Sequence, residues 1–160
     1  MTLLLNNLKT FLIHAVMTIV SFFLVMLYVA CSPSYSSKFM ATTLALLLCT
    51  ACILTYIGFG KLLKLENDKR KDYLVGILTF IIGLFLWLFT IYYSKSDISS
   101  ISNELSHYWI PYNMYIFPSW LIFYGQRNCL VLLIGSVVPG LLITLGMKLK
   151  RYSINKVNVQ

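Results

Sequence analysis

Apolar residues run unbroken for about twenty positions at four places along this chain, and polar residues gather between the runs. The runs cover about 11–30, 40–59, 74–93 and 129–147. Each matches the ~20 residues that carry a helix across a hydrocarbon layer of ~30 Å. Lipid offers no hydrogen-bond partner to backbone N–H and C=O groups, so a spanning segment must satisfy its own, as a helix does. Barrel strands would be about half as long and would alternate apolar with polar residues; these runs do not alternate. The pattern predicts an all-α integral membrane protein, with four transmembrane helices in a single transmembrane domain over residues 1–160.

Between the third and fourth runs the pattern changes. Ile98, Ile101, Leu105 and Trp109 recur at three- and four-residue spacing, the mark of one helical stripe. Aromatic residues crowd the positions that follow, and Pro111 and Pro118 each remove a backbone donor. Trp and Tyr favour the headgroup region, because one end of the ring is apolar and the other hydrogen-bonds. The stretch of about 97–125 therefore predicts an outer amphipathic, aromatic interfacial segment, either lying on the membrane or half-inserted into it. Trp109, Tyr112, Tyr115, Phe117 and Trp120 are its candidate partner-facing residues.

Composition agrees with a lipid setting. Of the 160 residues, 59% are hydrophobic and 11% charged, against about 45–50% and 25% in soluble domains. The net charge of +8 would suit nucleic acid, but the basic residues sit beside the spans, where orientation signals lie. No nucleic-acid binding is expected. With both termini cytoplasmic, Lys9, Lys61, Lys64, Lys69, Arg70, Lys71, Lys148, Lys150, Arg151 and Lys156 fall inside, and Lys38, Lys95 and Arg127 outside. That asymmetry obeys the positive-inside rule and predicts a multi-pass plasma-membrane protein. Lysine outnumbers arginine, and Ile, Leu, Phe, Tyr and Asn are plentiful, which fits AT-rich codons and a bacterial source. Tyr28-Val29-Ala30-Cys31 loosely resembles a lipidation signal. The preceding apolar run is longer than the 7–15 residues of a signal core, so an ordinary helix end is the better reading.

Candidate chemistry is sparse. His14 is the one ionisable group inside the predicted spans, and it shares a helix face with Thr18 and Ser21. Such a face suits either a polar conduit or a neutral histidine bonded within the bundle. Cys49 and Cys52 have redox spacing, yet both lie mid-span, where a thiolate lacks the electropositive setting it needs. Cys49 also continues a small-residue stripe with Ala41 and Ala45, and Ser136 and Gly140 form a second such pair beside Pro139. Small stripes let helices approach closely. Glu104 and His107 have di-iron spacing but lack the further carboxylates such a site requires. No metal site, cofactor motif or phosphate-binding loop is present, and no enzyme activity is expected.

These observations predict a small polytopic protein that acts non-enzymatically, through helix–helix contacts with another membrane protein or a second copy of itself. An accessory or regulatory subunit, or a toxin-immunity protein, would work this way. The alternatives are a small oligomeric transporter or channel using His14, Thr18 and Ser21, and a membrane thiol oxidoreductase using Cys49 and Cys52.

Overall fold

The computed structural model describes residues 2–31, 38–65, 68–94, 104–120 and 129–157. These form helices α1 (Thr2–Cys31), α2 (Lys38–Leu62), α3 (Ile77–Ser94), α4 (Ile110–Tyr115), α5 (Phe117–Trp120) and α6 (Cys129–Val157). Tighter 3₁₀ turns over Lys69–Leu74 and Glu104–Trp109 lead into α3 and α4. No strand occurs among the described residues. Four segments are long and apolar enough to cross a membrane: Thr2–Ala30, Thr42–Leu62, Lys69–Ser94 and Leu132–Lys156.

The long helices overrun the apolar runs at one end. α1 starts at Thr2 rather than near residue 11, because Asn6, Asn7 and Thr10 are buried and bonded within the bundle. Polar groups satisfied in this way need no water, so the helix continues through them. α6 likewise runs ten residues past Met147, into the basic segment that ends the fourth apolar run.

α6 is the hub. Half of its most apolar window is buried (50%), against 17–28% for the corresponding windows of the other three. Glycines explain how neighbours reach it. Gly60 on α2 and Gly146 on α6 meet at one crossing, where a Cβ on either would strike the opposite backbone. Gly76 lies against Gly140, where an added Cβ would stand 2.8 Å from the Gly140 Cα; its φ of 102° is also one that favours glycine. Higher up, Gly83 of α3 faces Ser136, and Gly135 faces Ile116. Of the other small stripe, Ala45 and Cys49 are half-buried, and the Ala41 side chain lies outside the described residues. The tight α2–α6 crossing falls lower on α2, at Gly60.

One end of the bundle gathers the start of α1, the end of α2, the start of α3 and the end of α6. Asn6 Nδ2 donates to the Lys64 carbonyl at 2.8 Å, and Lys150 Nζ to that of Leu63 at 2.8 Å. Carbonyls at a helix C-terminus lack partners within the helix, and a cation there also meets the favourable end of the dipole. Asn7 Oδ1 accepts from the Gly76 and Leu78 N–H groups at 3.1 and 3.2 Å. A side chain of α1 thus caps the N-terminus of α3, a task usually done by the residue before the helix. Thr144 Oγ1 donates to the Val75 carbonyl at 3.0 Å.

The connector between α2 and α3 is basic, yet it sends one acidic side chain into the bundle. Asp72 is buried and takes Arg151 Nε of α6 at 2.7 Å. Its basic residues Lys69, Arg70 and Lys71 remain exposed.

Candidate functional site

The segment 104–120 supplies the centre of the molecule. Tyr112 and Ile116 have no exposed surface, Ser119 is buried, and all three point into the bundle. Each makes a specific contact. The Tyr112 hydroxyl donates to the Leu132 carbonyl at 2.6 Å, and Ile116 fills the hollow over Gly135. Ser119 Oγ donates to the Gly135 carbonyl at 3.1 Å. That last bond has a cause four residues further along. Pro139 has no N–H, so the Gly135 carbonyl loses its usual partner within α6. The Ser119 hydroxyl supplies it, which lets a buried proline sit inside a continuous helix.

Tyr115 reaches furthest in. Its hydroxyl donates to the Thr79 carbonyl of α3. Its ring meets the His14 ring edge-on, with centroids 4.4 Å apart. Gly83 leaves the space for it, since a Cβ there would stand 2.8 Å from the Tyr115 ring. On its other side, His14 Nδ1 shares a 2.9 Å hydrogen bond with the Tyr56 hydroxyl of α2. His14 Nε2 and Thr79 Oγ1 are buried and unpartnered among the described residues. The outcome is a knot of His14, Tyr56, Tyr115 and Thr79 that links α1, α2, α3 and α4.

The polar face of α1 is turned toward this knot. Thr18 Oγ1 bonds back to the His14 carbonyl at 2.9 Å, and buried Ser21 places its oxygen 3.9 Å from Cys52 Sγ. Cys52 packs with Met17 and Tyr56, and both Cys49 and Cys52 are free thiols. Of the aromatic residues expected to face a partner, Trp109, Tyr112 and Tyr115 are buried in the chain. Phe117 is half-buried, edge-on to Phe22 of α1 at 5.4 Å. The Trp120 side chain lies outside the described residues, as do Ile98 and Ile101 of the expected amphipathic stripe. Among the described residues, no three His, Cys, Asp or Glu side chains come together as a metal site.

Several of these residues carried a readable signal. Asn6, Thr10 and His14 are four apart and mark a polar stripe that extends the His14 face toward the chain start. Tyr56 and Thr79 carried none, being single polar groups in apolar runs. The arrangement is a bundle of four apolar helices whose middle is filled by side chains of the short helical segment 104–120. Comparison of the chain with known protein families, with curated proteins and with solved structures finds no match in any of the three.

Proposed function

We propose that this chain is a polytopic plasma-membrane protein with cytoplasmic termini. In this reading it acts without catalysis, by lateral docking on another membrane protein as an accessory, regulatory or immunity-type subunit. The observation that supports docking is the outward face of α2. Thr50, Ala51, Thr55 and Gly58 are all exposed there, and nothing lies within 4 Å of where a Gly58 Cβ would stand. The Thr50 and Thr55 hydroxyls bond back to the carbonyls of Leu46 and Ala51, so the small residues leave notches between the exposed side chains of Leu47 and Leu54. In lipid, small residues bring a second helix close enough for dispersion and weak backbone contacts to hold it. The exposed face of α1 carries bulky Leu8, Leu12, Ile19 and Phe23, as a lipid-facing surface does. The inward bonds of His14, Thr18 and Ser21 favour this reading over a conduit along α1.

The test is crosslinking in native membranes. A single cysteine at Thr55 or Gly58, in a chain whose natural cysteines are replaced, is expected to form an adduct with one defined membrane protein. In the Thr55 reporter, Gly58→Leu should abolish that adduct and leave the fold intact. An adduct with a second copy of the chain would identify a homo-oligomer. A face that labels only with lipid-soluble reagents and never crosslinks would overturn the proposal.

A further inference from the structure

Two polar atoms of the central knot, His14 Nε2 and Thr79 Oγ1, are buried without a partner among the described residues. Their residues are 1% and 0% exposed. Both flank Tyr115, whose ring meets His14 while its hydroxyl reaches the Thr79 carbonyl. Neither atom has the usual local remedy. A threonine in a helix can donate to the carbonyl four residues back, as Thr10, Thr18, Thr50, Thr55 and Thr90 all do here. Thr79 stands in the first turn of α3, and Val75, four residues before it, is extended and gives its carbonyl to Thr144. His14 has already used Nδ1 on Tyr56. If the Tyr56 hydroxyl donates there, Nε2 carries the imidazole proton and needs an acceptor. If Nδ1 donates, Nε2 is itself an acceptor and needs a donor.

We propose that the knot is an internal hydration site, in which ordered water, a single molecule or a linked pair, bridges His14 Nε2 and Thr79 Oγ1 beside the Tyr115 ring. Buried water characteristically joins polar groups that the chain leaves unsatisfied, and such groups are costly to leave bare in an apolar surrounding. Water both donates and accepts, so it serves either tautomer of His14. An ion suits the site poorly, because the four apolar runs hold no Asp, Glu, Lys or Arg to supply a counter-charge. Packing is also close. A Cβ at Gly83 would stand 2.8 Å from the Tyr115 ring, which argues for the smallest polar guest. The water gives α1 and α3 a second polar link, about two helical turns along α1 from the Asn7 cap. The inference is independent of the docking face of α2.

Radiolytic hydroxyl labelling of the full chain in micelles tests it, because radicals formed from bound water oxidise the buried side chains beside it. Tyr115 should be labelled several-fold more than Tyr112, a buried tyrosine whose hydroxyl already bonds to a carbonyl. His14 should be labelled together with Tyr115. Thr79→Val keeps the shape of the side chain without its hydroxyl, and should bring Tyr115 down to the Tyr112 background. Thr79→Ser should preserve the labelling, and so should Gly58→Leu, which touches only the docking face. An opened bundle would raise the labelling of Tyr112. If Thr79→Val has that effect, the contrast between Tyr115 and Tyr112 in the unaltered chain decides. Equal labelling of the two tyrosines would overturn the proposal, and so would unchanged labelling of Tyr115 in a folded Thr79→Val variant.

Discussion

His14 on α1 and Tyr56 on α2 share a hydrogen bond of 2.9 Å between Nδ1 and the hydroxyl, with both side chains buried. Each is the other's partner, so removing one leaves a buried polar group without it, at about 1–3 kcal/mol. His14→Leu and Tyr56→Phe should each destabilise the protein by that amount. The double variant should lose less than the sum of the singles. Reversible unfolding in mixed micelles measures all three, and strict additivity would show that the bond contributes nothing.

The Gly60–Gly146 crossing has no room for a side chain. Gly146→Val must push α2 away from α6, and overpacking of this kind costs about 1–3 kcal/mol or more. The same change at Gly58 meets open space and should shift stability by no more than about 0.5 kcal/mol. Thermal unfolding in detergent compares them. Equal losses at the two glycines would contradict the crossing.

Asn7 closes the N-terminus of α3 from a different helix. Asn7→Leu removes the acceptor and should destabilise by about 0.5–2 kcal/mol, as loss of an ordinary cap does. The damage should be local, seen as faster amide exchange over residues 76–80. Asn7→Asp keeps the acceptor oxygen and should fray less. Uniform exchange along α3 in Asn7→Leu would rule out the capping role.

Asp72 has only 2% of its side chain exposed, whereas Arg151 keeps 19%. Arg151→Met strands the carboxylate, and breaking a buried pair costs about 3–5 kcal/mol. The partial exposure of Arg151 puts the expected loss at the lower end of that range. Asp72→Asn combined with Arg151→Met should recover part of it. A single variant as stable as the parent would mean that the pair is solvated in the working protein.

Orientation has its own test. A cysteine at exposed Arg70, in a chain without its natural cysteines, should resist an impermeant thiol reagent in intact cells and react in inverted vesicles. Reaction in intact cells would reverse the proposed threading.

The four long helices were legible because continuous apolar runs of spanning length have few other solutions. Their polar beginnings and ends were not. A span drawn by hydropathy stops at Asn6, Asn7 and Thr10, although all three are buried, Asn6 and Asn7 bond across to Lys64 and Gly76, and Thr10 bonds back to the Asn6 carbonyl. The contacts of the aromatic stretch were hidden in a similar way. Tyr and Trp mark an interface by composition, and only tertiary contact shows that Tyr112 and Tyr115 bond to carbonyls deep in the bundle. The serine that answers Pro139 lies twenty residues upstream, and nothing in local spacing joins the two.

α6 leaves the ribosome after the other long helices described, yet α2, α3 and the segment 104–120 all lean on it. Before it arrives, the hollows at Gly60 and Gly76 lack the backbone that fills them, and Asp72 lacks the Arg151 guanidinium. The earlier helices therefore wait as an unfinished socket. A chain stalled short of Arg151 would leave two notches uncovered and a buried acid without its arginine, the marks of an incomplete product.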